Sequence, residues 1–314
     1  MENLIFSLNA TVPIFLLMVL GAVFKKIGWI DDVFATKMNG FVFKIALPVM
    51  VFNNLAGVDI YEAWDTRFVL YCFVVTAVSI LICYLLSLLF DRSVRGEFIQ
   101  AAYRSSAAIL GMAFIENIYG SSTMGPLMIV GSVPLYNIAA VVVLTVFAPG
   151  NTQKVDGAMV KKTLKGVVTN PILLGIIAGL LWSALRLPFF TILSKTTSRL
   201  GAVATPMGLM AMGASFDIKK ATGQIKPALV ASFMKLLGFG ALFLPLAVWL
   251  GFRNEQMVAI LVMLGSCSTV SGYVMAKSMG HEGTVAASVV MLTTMLSAFT
   301  LTFWLFLMKT LGMV

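Results

Sequence analysis

Two short stretches of the chain carry residue types able to do chemistry. Residues 104–113 read RSSAAILGMA and residues 265–273 read GSCSTVSGY, small and hydroxylated where their surroundings are apolar. Small residues let helix backbones approach closely. Gly, Ser and Thr also suit an unwound stretch whose freed backbone groups face protein or a water-filled cavity. Both readings stay open on residue type alone, but two breaks at corresponding positions would mark a binding site. A break leaves a half-helix N-terminus with unpaired N–H groups and a partial positive charge, a place for an anionic group. Arg104 adjoins the first stretch. Pairing with a carboxylate and snorkelling to the membrane surface are equally open for it. The candidate binding set is Arg104, Ser105, Ser106, Gly111, Asn53, Ser268, Thr269, Ser271 and Gly272. Asn53, with Asn54, enters because an amide facing hydrocarbon is costly, so it lines a cavity or fixes packing.

Other chemistries are poorly supplied. One histidine and three scattered cysteines (Cys72, Cys83, Cys267) cannot build a His/Cys metal site, and none stands in a C-x-x-C pair. No cofactor is expected. The only metal contacts in view are oxygens of Ser106, Ser268 and Thr269 that could meet sodium, and coupling to Na+ or H+ is left open. The phosphate-binding pattern G-x-x-x-x-G-K-[ST] is absent. No paired carboxylates, Ser/His arrangement or metal cluster falls within an apolar stretch, so an intramembrane enzyme is the least favoured class. Lys44 and Lys235 fall near span ends and are expected to snorkel. Glu116, Asn117 and Lys277 are expected at solvated loop edges, and His281 in a short polar loop rather than in a proton relay.

The elements that must position these residues follow from composition. Of 314 residues 60% are hydrophobic and 11% charged, against about 25% charged in soluble chains, so this is a polytopic membrane protein. Apolar stretches at roughly 4–24, 38–57, 68–90, 98–119, 124–147, 168–187, 200–216, 227–250, 256–279 and 284–308 read as ten membrane helices. The formal charge of +9 reflects loops rather than nucleic-acid binding. Counted on alternate loops, thirteen Lys and Arg fall on one side and six on the other. Both termini are therefore expected outside, in a cytoplasmic (inner) membrane, with the longest loop in the cytoplasm.

The chain repeats itself. Pro13 and Gly21 share their spacing with Pro171 and Gly179, Pro13 to Pro48 is 35 residues as is Pro171 to Pro206, and Gly120 corresponds to Gly280. The expected organisation is a first five-helix repeat at 1–147, a cytoplasmic connecting loop at 148–167 and a second repeat at 168–314. Five is odd, so the repeats would be inverted, as in secondary transporters with a substrate site near the midplane. The fold class expected is an all-α membrane protein, ten transmembrane helices in two inverted five-helix repeats with broken fourth and ninth helices.

Several motifs, in order along the whole chain, resemble the auxin efflux carrier family, which includes bacterial malonate and malate permeases and has a fold similar to that of bile-acid sodium symporters. They are Ala46-Leu47-Pro48, Arg104-Ser105 followed by Gly111 and Tyr119-Gly120, Asn170-Pro171-Ile172-Leu173, the stretch PMGLMAMG from Pro206 to Gly213, and Ala276-Lys277. The chain departs from the family's N-x-G-F-x-G-x-P pattern in the fourth helix, where Ser106, Ala108, Ile109, Gly111 and Ala113 stand, and Ser271 takes the place of a proline in the ninth. Gly111 and Gly272 would then supply the breaks. The resemblance implies a secondary active transporter of small organic anions, mono- or dicarboxylates, working by alternating access. The alternative is a sodium-coupled symporter of the bile-acid type. Partners are the anion and the bilayer, with a homodimer left open.

Overall fold

The computed structural model describes residues 2–57, 64–120, 123–149 and 157–314, and within them the chain is helical, with no strand. In the first half, α1 spans Glu2–Lys26, and its last turn carries Lys25 and Lys26 against the negative end of the helix dipole. Helix α2 (Asp32–Phe41) starts at Asp31, whose carboxylate accepts from the Phe34 N–H, and runs through a π-helical turn, Val42–Ala46, into α3 (Leu47–Ala56). Helix α4 covers Thr66–Ser87. Helix α5 (Arg92–Tyr103) ends at an extended Arg104, and the chain resumes as a π-helical turn, Ala107–Gly111, and α6 (Met112–Tyr119). Gly120 at φ 74° closes α6, a left-handed cap that glycine adopts without a Cβ clash. Helix α7 (Met124–Val146) follows.

In the second half, α8 (Gly157–Val168) precedes α9 (Pro171–Ala184), where the Asn170 side chain caps the Ile172 and Leu173 N–H groups and Pro171 takes the first helical turn. Next come α10 (Thr191–Ala202), α11 (Ala204–Ser215) and the short α12 (Ile218–Gly223). Helix α13 (Ile225–Phe233) passes through a π-helical turn, Met234–Gly238, into α14 (Phe239–Trp249). Helix α15 (Glu255–Gly265) stops at an extended Ser266, and α16 (Val270–Ser278) restarts after Thr269. Helix α17 (Thr284–Thr310) ends the fold.

Six segments among the described residues are long and apolar enough to cross a membrane: Asp32–Ala56, Thr66–Ser87, Met124–Val146, Ile225–Trp249, Glu255–Ser278 and Thr284–Thr310. Several helices start earlier than hydropathy predicts, because polar residues such as Asp32 and Arg92 begin their first turns. The expected connecting loop at 148–167 is partly helical, since α8 begins at Gly157, and residues 150–156 of that loop lie outside the described residues.

Four glycines fix the closest crossings. A Cβ on Gly21 would strike the Met210 carbonyl and one on Gly213 the Met18 carbonyl, so α1 and α11 touch backbone to backbone. A Cβ on Gly175 would strike the Pro48 carbonyl, and one on Gly179 would sit 2.9 Å from the Phe52 carbonyl oxygen, so α9 and α3 do the same. The first helix thus lies in the groove of Pro206's helix, and Pro171's helix lies against Pro48's. Helix α15 is buried on all sides from Met257 to Gly265, which explains a sequence apolar all round.

Candidate functional site

The two non-helical stretches meet. The Ser106 N–H donates to the Cys267 carbonyl at 2.9 Å, tying residues 104–106 to residues 266–269. The chain is therefore broken before Gly111 and before Gly272. This corrects the expectation that those glycines supply the breaks. Gly111 closes the π-helical turn, and a Cβ there would lie 2.8 Å from the Val262 Cγ1, so it serves close packing against α15. Gly272 sits inside α16, where its carbonyl accepts from the Gln100 Nε2 at 2.9 Å. The break at Ser106 is tied to the second stretch by a backbone bond to the Cys267 carbonyl, which does not require glycine.

Arg104 does not snorkel. It is 3% exposed and reaches from the end of α5 to the start of α16, its Nη2 donating to the Ser271 Oγ at 2.9 Å and to the Asn137 Oδ1 at 3.0 Å. Its Nη1 lies 3.8 Å from the Met275 Sδ, and its Nε has no partner. Asn137 is steadied by donating its amide to the Val133 carbonyl at 2.9 Å. These groups face a small cavity whose wall includes Arg104, Ser105, Ser106, Asn137, Thr269 and Ser271, with Leu47, Met50 and Tyr136. No carboxylate lines it. Thr269 caps α16, its hydroxyl facing the Ser271 N–H and lying 2.9 Å from the Ser271 Oγ. The start of α16 therefore carries hydroxyls and a guanidinium together.

Other expected residues sit elsewhere. Ser105 is buried and donates to the Met263 carbonyl while accepting from the Lys235 ammonium. Ser268 is committed twice: its N–H donates to the Thr293 Oγ1 and its hydroxyl to the Ala101 carbonyl, both at 2.9 Å. A neighbouring cavity is lined by Ser106, Ser268, Thr269 and Thr294 and shares Met50 and Leu47 with the first. Asn53 is not brought to Arg104; it lines a third space with Asn54, Ser198 and Thr205, its Oδ1 unpartnered, joined to the others through Met50.

One expectation about charge is corrected, and one residue proves more buried than its loop suggests. Lys235 is wholly buried rather than snorkelling, whereas Lys44 is exposed as expected. His281 is 3% exposed, its Nε2 2.9 Å from the Leu144 carbonyl, because the turn before α17 folds inward against α7. Glu116 and Asn117 are exposed, and Lys277 donates to the Glu282 carbonyl. Sequence reasoning missed Asn137 and Glu97. An amide in the midst of the apolar α7 was a signal for Asn137. Glu97 accepts from the N–H groups of Gly283, Val285 and Ala286 at the start of α17, a partnership only the tertiary fold creates.

Comparison with known proteins agrees with this architecture. The sodium proton antiporter MjNhaP1 from Methanocaldococcus jannaschii has a similar fold, with a TM-score of 0.61 over 95% of this chain and 97% of that one, at 13% sequence identity. No curated protein is matched by sequence. The family described as membrane transport protein matches residues 6–305, nearly the whole chain. Its motifs, its apolar helices and that match agree: the chain belongs to the membrane transport protein family, that of the auxin efflux carriers, and is a multi-pass membrane transporter.

Proposed function

We propose that the chain is a secondary transporter of small organic anions, mono- or dicarboxylates, moving them across the cytoplasmic membrane by alternating access. Arg104 carries the reading. A guanidinium buried in a cavity without an opposing carboxylate is costly unless something supplies the missing charge. The planar fork suits a carboxylate, and the Ser271 hydroxyl and the start of α16 stand beside it. The buried Nε has no partner of its own.

The fold reading that accompanies this is ten membrane helices in two inverted five-helix repeats, 1–147 and 168–314, with both termini outside. Its support is reciprocal: α1 and α11 make the same backbone-to-backbone crossing as α9 and α3, and each half has one helix interrupted near its middle. Alternating access would then move the interrupted helices against the rest. A sodium-coupled symporter of the bile-acid type has less support, because no carboxylate lines either the Arg104 cavity or its neighbour. Catalysis has no support in the cavity, where no paired acid and base stand.

The test is uptake by proteoliposomes of labelled mono- and dicarboxylates, with and without a sodium or pH gradient, beside the corresponding amides. Uptake of at least one carboxylate and not of its amide is expected. Equal uptake of the amide would overturn the reading.

A further inference from the structure

Lys235 is a buried cation that the Arg104 cavity does not use. It lies ten residues into the apolar segment Ile225–Trp249, about 15 Å along the helix axis and so near the middle of a 30 Å hydrocarbon core. A charge at that depth is expensive and marks a functional group. Its side chain stays inside: the ammonium donates to the Ser105 Oγ, to the Leu264 carbonyl at 2.8 Å and to the Met263 carbonyl at 3.2 Å. The Ser105 proton is itself spent on Met263, so Ser105 faces Lys235 as an acceptor. Three acceptors meet the three N–H groups of a charged amine. No carboxylate pairs with it among the described residues. The compensating charge is instead the negative end of α15, whose last turn supplies both carbonyls. The π-helical turn Met234–Gly238 carries Lys235, and such turns inside α-helices recur at functional sites.

A hydroxyl and main-chain carbonyls at the C-terminal end of an interrupted helix are the donor set that holds a coupling sodium ion in broken-helix transporters. We propose that the Lys235 ammonium is a tethered cation occupying that position, so that this transporter works without a free alkali-metal ion. The proposal rests on the anion-transport reading only for what is carried; the place of the cation is read separately, from stability in the absence of any anion substrate.

The experiment is thermal unfolding of the purified full chain in sodium, potassium or choline chloride at equal ionic strength. The same anion is then followed into proteoliposomes with sodium or choline on both sides. The wild type is expected to unfold at one temperature in all three salts and to transport equally in both. Lys235→Ala is expected to unfold at a lower temperature in choline and to regain stability in sodium or n-propylammonium chloride. Lys235→Met, which fills the space without a charge, is expected to respond to neither. If Lys235→Ala is recovered folded only when prepared in sodium or propylammonium, that also supports the proposal. Sodium-specific stabilisation of the wild type overturns it, as does a Lys235→Ala protein that is indifferent to both small cations or folds in none of the salts. Loss of anion transport with these stability patterns intact would count against the anion reading alone.

Discussion

Replacing Arg104 with glutamine separates a binding role from a structural one. The guanidinium donates to Asn137 and Ser271 from a single nitrogen and leaves its Nε without a partner. Glutamine can keep one amide donor in this region but loses the charge and the fork. A hydrogen bond to a charged group contributes about 1.5–3 kcal/mol net, so carboxylate binding should weaken by about 10- to 150-fold. Stability should behave differently. Because no carboxylate lines the cavity beside Arg104, removing the charge relieves a desolvation cost without orphaning a partner ion. The unfolding temperature of Arg104→Gln without ligand should therefore be no lower than that of the wild type. Titration calorimetry of the purified protein with a dicarboxylate and with its diamide, run beside thermal unfolding, checks both halves. Arg104→Lys should lie between, since it keeps the charge and loses the fork. Unchanged carboxylate affinity in Arg104→Gln, or loss of affinity and stability together, would refute the reasoning.

Gly213→Ala should destabilise the protein by about 1–3 kcal/mol in thermal unfolding, because the added methyl meets the Met18 backbone and α1 must move; Gly40→Ala, with open space around its Cβ, is the neutral control. Glu97→Gln should cost about 1–2 kcal/mol by removing the negative charge that three N–H groups of α17 share, and should speed hydrogen exchange at Val285 and Ala286. Unchanged exchange there would mean that α17 needs no such cap. Cysteine at Lys161 should react with a membrane-impermeant maleimide only from the cytoplasm and cysteine at Gly312 only from outside; both reacting from the cytoplasm would overturn the inverted arrangement.

Much of the fold is legible in the spacing of prolines and glycines, because Gly21, Gly175, Gly179 and Gly213 stand where two helix backbones touch. Gly21 and Gly179, paired by spacing, do make corresponding contacts on α11 and α3. The helix breaks were legible as regions and not as residues. Small side chains announce a stretch able to unwind, but the exact point is set where Ser106 finds the Cys267 carbonyl, 161 residues away. Lys235 was misread because hydropathy alone measures distance to a span end, whereas its burial depends on three acceptors, two of them on α15. His281 and Glu97 escaped for the same reason. A polar turn reads as solvent until the fold places a helix start and α7 against it.

The link between Ser106 and Cys267 also bears on how the protein is made. A ribosome releases Arg104, Ser105 and Ser106 into the membrane long before residues 263–271 exist, so the first interruption has no acceptor for its amide, no carbonyl for Ser105 and no hydroxyl from Ser271 while the middle of the chain is synthesised. Lys235 emerges next and waits about thirty residues for the carbonyls that hold it. The first half is thus left with unmet polar groups in the bilayer until α15 and α16 arrive. Insertion of the chain is a vectorial process whose last steps complete its earliest ones, and truncation anywhere before residue 271 should yield a product that membrane quality control removes.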